Sequence, residues 1–68
     1  MAEPEPYFFY DRDGDELAVR TVDYDGVPHA AIGAILADGR VAAVHVPPDR
    51  AWEVCEAILE AAGVNTGA

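Results

Sequence analysis

Three Asp-Gly pairs, at Asp13-Gly14, Asp25-Gly26 and Asp38-Gly39, separate four short apolar segments in the first two thirds of the chain. An Asp-Gly pair between apolar segments is typical of a two-residue hairpin turn of type I′, in which both central residues adopt φ > 0. Glycine reaches that conformation without a steric penalty, and aspartate tolerates it better than most residues. The turns therefore predict a four-stranded antiparallel β-meander.

A helix is predicted after the fourth strand. Pro47-Pro48-Asp49 ends the sheet and places proline and an acid in the first helical turn. Gly63 suits the left-handed position that closes a helix. Residues 7–63 are expected to form one α+β domain, with the helix packed on one sheet face and short tails over 1–6 and 64–68. The predicted elements are strands at about 7–12, 16–24, 28–37 and 40–46 and a helix at about 48–62.

Two-residue loops also assign the faces of the sheet. Tyr10 would pair with Leu17, and Leu36 with Val41. The face that the helix should cover then contains Phe8, Tyr10, Leu17, Val19, Ala30, Ile32, Ala34, Leu36, Val41 and Ala43. A three-residue loop or a bulge in any hairpin would exchange the faces of the strand beyond it.

The opposite face is predicted to remain apolar, although a solvated antiparallel face is normally polar. Its apolar patch consists of Tyr7, Phe9, Val22, Ile35, Val44 and Val46. We expect this patch to be the interface of a homodimer that pairs sheet against sheet. Pairing through an edge strand is an alternative.

The chain has few means of stabilising itself as a monomer. A chain of 68 residues buries only about 60% of the surface that its unfolded form exposes. Cys55 is the only cysteine, and His29 and His45 are the only histidines, so neither an intrachain disulfide nor a four-ligand zinc site of these residues can form. Self-association is therefore the expected source of additional stability.

The chain is strongly acidic, with 13 acids, four arginines, no lysine and a net charge of −9. This balance argues against direct binding to nucleic acid or to an anionic membrane. No segment is apolar enough to span a bilayer, and Met1–Pro6 lacks the basic and apolar regions of a signal peptide. A cytoplasmic location is expected.

The acids should concentrate at the two ends of the sheet. In a meander the first and third turns share one end, and the second turn lies at the other. The side chains expected at the shared end are Asp11, Asp13, Asp15, Glu16 and Asp38, beside Arg12 and Arg40.

The segment Asp11–Glu16 also resembles the start of a calcium loop, which requires Gly at its sixth position and Glu at its twelfth. Here Glu16 and Val22 occupy those positions. A solvated hairpin tip is the favoured interpretation, and no metal site is predicted.

Other catalytic or ligand sets are not predicted. The two-residue loops place His29 and His45 on opposite faces of the sheet, which argues against a shared metal. Cys55 lies on the apolar half of the predicted helix and is expected to be a buried structural thiol. The chain contains no serine, no lysine and no glycine-rich phosphate loop. We therefore expect no enzymatic activity and no cofactor.

A stripe of glutamates, Glu53, Glu56 and Glu60, follows the polar side of the helix. Like charges three or four residues apart cost about 0.2–0.5 kcal/mol per pair. The stripe is either a docking face for a basic protein surface or a solvated face that keeps the protein soluble.

These features indicate a small acidic, non-catalytic protein–protein interaction module. We expect it to be homodimeric and to act as an accessory, regulatory or phage-type inhibitory factor. One alternative is an acidic nucleic-acid mimic that blocks the basic cleft of a DNA- or RNA-binding protein. Another is a small-ligand binder that uses Tyr7, Phe9, Tyr24 and Trp52 around a dimer cleft.

Overall fold

The computed structural model describes residues 4–64, which form one open sheet and one helix. The elements are β1 (Tyr7–Tyr10), β2 (Glu16–Tyr24), β3 (Val27–Ile35), β4 (Val41–Val46) and α1 (Pro48–Ala61). The sheet is antiparallel with strand order β1-β2-β3-β4, and α1 packs mainly against β3. The predicted α+β meander with a C-terminal helix is confirmed. Residues 1–3 and 65–68 of the expected tails lie outside the described residues.

The turn between β2 and β3 is a two-residue loop. Asp25 has φ 51° and Gly26 has φ 80°, which is the type I′ combination. Tyr24 pairs with Val27 directly beside the loop. The predicted register of the two central strands is therefore confirmed.

The turn between β1 and β2 is one residue longer. The Gly14 amide donates to the Asp11 carbonyl at 3.2 Å, and the Asp11 amide donates to the Asp15 carbonyl at 3.0 Å. Gly14 has φ 85°, whereas Asp13 does not adopt positive φ. This is a three-residue loop in which a type I turn is followed by a left-handed glycine.

The turn between β3 and β4 repeats this arrangement. The Gly39 amide donates to the Leu36 carbonyl at 2.8 Å, and the Leu36 amide donates to the Arg40 carbonyl at 2.8 Å. Gly39 has φ 93°. The two outer hairpins thus share one loop type, which differs from that of the middle hairpin.

The longer loops shift both outer strands by one residue. Tyr10 pairs with Glu16 rather than Leu17, and Val41 pairs with Ile35 rather than Leu36. A one-residue shift moves every side chain of a strand to the other face. The predicted faces are therefore correct for β2 and β3 and wrong for β1 and β4.

We call the two sides of the sheet the helix face and the back face. Side chains of the helix face are Tyr7, Phe9, Leu17, Val19, Thr21, Asp23, Pro28, Ala30, Ile32, Ala34, Ala42, Val44 and Val46. Side chains of the back face are Phe8, Tyr10, Glu16, Ala18, Arg20, Val22, Tyr24, Val27, His29, Ala31, Gly33, Ile35, Val41, Ala43 and His45. Phe8, Tyr10, Val41 and Ala43, which were predicted to lie under the helix, belong to the back face.

The helix begins and ends as the sequence predicts. Pro48 and Asp49 occupy its first turn, after Pro47 in an extended conformation. At its other end Gly63 has φ 78°. The Gly63 amide donates to the Glu60 carbonyl at 3.0 Å, and the Val64 amide donates to the Leu59 carbonyl at 2.9 Å. These two bonds form a Schellman motif, which satisfies carbonyls that the helix end leaves open.

The core of this fold is very small. Among residues 4–64, the buried apolar side chains are Ala18, Ala31 and Val46. None of the residues of α1 is buried. The sheet and helix are thus well formed, but they leave most of their large apolar side chains in contact with solvent.

Candidate protein interface

The six residues of the predicted dimer patch do not share one face. Tyr7, Phe9, Val44 and Val46 lie on the helix face, whereas Val22 and Ile35 lie on the back face. Val46 is also buried. The prediction of a single patch is wrong because the three-residue outer loops turn β1 and β4 over relative to the central strands.

The helix covers only part of its face. Between α1 and the sheet lies a cleft of about 170 Å³ with apolar walls. The sheet contributes Val19, Ala30, Ile32 and Val46 to this cleft, and the helix contributes Ala51, Val54, Cys55 and Ile58. The contact between the two layers is therefore incompletely filled.

Beyond the helix, the remaining helix face is bare. Tyr7 is 58% exposed, Phe9 50% and Val44 65%, although all three point to the side of the sheet on which the helix packs. A shallow hollow of about 360 Å³ at this end is lined by Phe9 and Leu17 and also by the acidic residues Asp11, Asp15 and Glu16. Within the strands, Asp23 is the one charged residue of the helix face, and it lies at the far end of β2. The strands of this face thus expose large apolar side chains, and acidic residues border its bare end.

The helix itself exposes apolar side chains. Trp52 is 75% exposed and Ile58 is 59% exposed. Cys55, which was expected to be buried, is also exposed. That expectation is wrong because Cys55 lines the open cleft between α1 and the sheet, where the two layers are incompletely filled.

The back face has small residues at its centre and a cluster of ring side chains at one end. Ala18 and Ala31 lie in the two central strands and are buried. Tyr24 lies between two histidines, with its ring centroid 4.9 Å from that of His29 and 5.3 Å from that of His45. The prediction that the histidines lie on opposite faces is wrong, since His45 pairs with Ala31 rather than Ile32.

The ring cluster is held by hydrogen bonds. The Tyr24 hydroxyl bonds to Nδ1 of His45, and Nδ1 of His29 donates to the Val27 carbonyl at 3.0 Å. The three-residue loop at Asp38-Gly39 brings His45 to this face, and the Asp-Gly pair in the sequence does not distinguish it from a two-residue loop. The three-residue loop at Asp13-Gly14 places Tyr7 and Phe9 on the face opposite Tyr24, so the aromatic set of the expected ligand cleft is divided between two faces.

The predicted acidic end of the sheet is confirmed. Oδ1 of Asp15 accepts a hydrogen bond from the Ala37 amide at 2.8 Å, which joins the first turn to the third. Oδ1 of Asp11 accepts from the amides of Asp13 at 2.8 Å and Asp15 at 3.0 Å. Asp38 accepts from the amide and Nε of Arg40. These aspartates therefore shape the turns in which they lie.

One group of carboxylates in the described part of the chain is close enough to surround a cation. Oxygen atoms of Asp11, Asp13 and Asp15 lie within 4.8 Å of one another. Two of the three already accept backbone hydrogen bonds, and Asp11 and Asp13 are exposed. The arrangement is that of an Asx-stabilised turn.

The first glutamate of the stripe on α1 is paired with an arginine that precedes the stripe. Oε2 of Glu53 accepts from Nε of Arg50 at 2.9 Å and from Nη2 at 2.5 Å. This hydrogen bond raises the pKa of Arg50 above its ordinary value. Glu56 and Glu60 are exposed, and the last turn contains no basic residue. The acidic surface of the helix is thus concentrated toward its C-terminal half.

Comparisons with protein families, with curated proteins and with solved structures give no match. No helix within residues 4–64 is long and apolar enough to cross a membrane. The surfaces described above are therefore the basis on which a function can be proposed.

Proposed function

We propose that this chain is a non-catalytic protein–protein interaction module that forms a homodimer in the cytoplasm. It would act as an accessory, regulatory or phage-type inhibitory factor. The main observation in favour is the amount of apolar surface that the fold leaves open. Side chains such as Phe9, Val44 and Trp52 are at least half exposed, while the buried apolar residues among 4–64 number three.

The titratable clusters support a non-catalytic function. Asp11, Asp13 and Asp15 shape an exposed turn. Tyr24 and His45 are exposed on the back face, whereas catalytic groups act best in a concave, water-excluding site. These groups therefore fit structural roles better than acid–base chemistry.

Light scattering of the purified protein tests the dimer. We expect a mass of about twice 7.2 kDa at micromolar concentration. Association should strengthen as salt is added, because salt screens the repulsion between two chains of charge −9 each. A monomer throughout the micromolar range would contradict the proposal.

A second candidate function is the acidic nucleic-acid mimic, which the clustering of aspartates at one end of the sheet favours. A mimic would bind a basic cleft through exposed charges, so its binding should weaken steeply with salt. Capture of a nucleic-acid-binding protein that persists unchanged at about 1 M salt would contradict mimicry. The opposite salt dependences separate the two candidates.

A further inference from the structure

The open sheet has two edges, formed by β1 on one side and by β4 on the other. Along an edge strand of an antiparallel sheet, every second residue directs its amide and its carbonyl away from the neighbouring strand. These backbone groups can pair with a further strand unless the edge is protected. The bonds that close the two outer hairpins determine which residues direct their groups outward.

On β4 the outward groups belong to Val41, Ala43 and His45. The Leu36 amide donates to the Arg40 carbonyl, which makes these two residues a hydrogen-bonded pair. Bonded and non-bonded pairs alternate along the ladder from that point, so the three residues lie in non-bonded pairs. Among residues 4–64, no backbone bond of a turn or cap reaches their amides or carbonyls. This edge therefore offers its outward groups to a partner strand.

The edge at β1 is protected, whereas the edge at β4 is not. The Asp11 amide donates to the Asp15 carbonyl, so the same alternation leaves Phe8 and Tyr10 with outward groups. The next position of this alternation is Pro6, which has no amide hydrogen. Proline and charged side chains are common means of protecting an edge. By contrast, β4 contains no proline, acid, arginine or lysine, and five of its six residues are exposed.

We infer that β4 of one copy pairs with β4 of a second copy, antiparallel and about a two-fold axis at Ala43. The result is one continuous sheet with four strands from each copy. This inference rests on the proposed self-association and adds the edge through which it occurs. Ala43 is the middle one of the three outward residues, so this register also pairs His45 of each copy with Val41 of the other. All the outward groups are then used, in about six main-chain hydrogen bonds.

The distribution of charge favours this edge for a second copy. Two chains of charge −9 repel each other, but β4 contains no acid and directly follows Arg40. Antiparallel pairing places the acidic turns of the two copies at opposite ends of the joined strands. In the same register the Asp38–Arg40 ion pair of each copy lies beside Pro48 and Asp49, at the start of α1 of the other. A cation thus meets an acid, and a carboxylate meets the positive end of a helix.

Hydrogen exchange of the outward amides tests this edge directly. In the single chain, the amides of Ala43 and His45 on β4 and those of Phe8 and Tyr10 on β1 are all directed away from the sheet. At concentrations where light scattering detects dimer, we expect the two β4 amides to exchange at least about tenfold more slowly than in the same protein diluted to monomer. The two β1 amides should exchange at the same rate in both samples.

The outcomes separate this inference from the proposed function. A dimer in which the β4 amides exchange as fast as in the monomer would overturn pairing at β4 and leave self-association standing. Protection of the β1 amides instead of the β4 amides would do the same. A protein that is monomeric throughout the micromolar range would overturn both.

Matched proline substitutions give a second readout. Ala43→Pro removes the amide hydrogen at the two-fold axis, and proline is tolerated in an edge strand at an outward position. We expect it to raise the dimer dissociation constant roughly a hundredfold, because the bonds across the axis are lost. Phe8→Pro removes the corresponding amide hydrogen from β1 and should change the constant by less than about twofold. With both variants shown to be folded by circular dichroism, an unchanged constant in Ala43→Pro would overturn the inference.

Discussion

The middle turn and the two outer turns contain the same Asp-Gly pair but close their hairpins differently. In the middle turn Asp25 and Gly26 both have positive φ, and the loop has two residues. In the outer turns only the glycine has positive φ, and a third residue precedes the aspartate. All three turns therefore contain a glycine with positive φ. The aspartate also has positive φ only in the two-residue loop, and the length of the loop determines which side chains of the outer strand lie on each face of the sheet.

The contacts around the turns account for part of this difference. Asp11 and Asp15 are bonded within the first loop, and Asp15 reaches the third loop through the Ala37 amide. At the other end of the sheet, Tyr24 contacts both histidines from the last position of β2. A three-residue loop there would remove Tyr24 from its pair with Val27.

The largest expected effect concerns the glycine with positive φ that all three turns contain. Gly26 and Gly39 have φ of 80° and 93°, and neither would place a new Cβ within 4 Å of another atom. Gly26→Ala and Gly39→Ala should therefore each lower the free energy of unfolding by about 1–2 kcal/mol through backbone strain alone. Urea denaturation at one protein concentration measures this change.

Gly33→Ala is the control for that pair. Gly33 does not have positive φ, and its nearest neighbour to a new Cβ is the Ala42 carbonyl oxygen at 3.7 Å, which is an ordinary contact. This variant should be as stable as the wild type or slightly more stable. An equal loss of stability in Gly33→Ala would show that conformation at the turns is not the cause.

The next largest effect concerns the aspartate, which has positive φ in the middle turn but not in the outer turns. Asp25→Ala places an ordinary side chain at φ 51° and should lower the free energy of unfolding by about 1 kcal/mol. Asp13→Ala makes the same chemical change where φ is not positive, and it should cost less than about 0.5 kcal/mol. Similar losses in the two variants would contradict the difference in loop type.

The smallest effect concerns the link between the outer turns. Asp15→Ala removes the carboxylate that accepts from the Ala37 amide and should cost roughly 0.5–1 kcal/mol. Hydrogen exchange of the Ala37 amide should become faster in this variant. Asp13→Ala, in the same loop, should leave that exchange rate unchanged, so a similar increase there would argue against the link.

The order and extent of the elements could be predicted from the sequence because their signals are local. The Asp-Gly pairs mark every hairpin, and Pro47 and Gly63 mark the ends of the helix. Each observed strand or helix boundary lies within two residues of its predicted position. These signals depend on backbone preferences of a few residues, which tertiary contacts do not alter here.

The faces of the outer strands could not be predicted in the same way. Two-residue and three-residue loops both require glycine at the same position, so Gly14 and Gly39 are compatible with either. A difference of one residue reverses a whole strand. For this reason the predicted register places Phe9 and Val44 on an apolar surface, as observed, but on the side away from the helix. The same one-residue difference separates His29 from His45 in the prediction.

The pair of prolines between β4 and α1 has a consequence for association. Pro47 has φ −70° and ψ 159° and leads directly into Pro48, the first residue of the helix. Proline fixes φ and restricts the residue before it, so this connection allows the helix little rotation relative to the sheet. The position of α1 is set when the chain folds, and an approaching copy meets a surface whose shape is already formed. The entropy of ordering the helix is then lost in folding rather than in binding, which favours tighter association through a small surface.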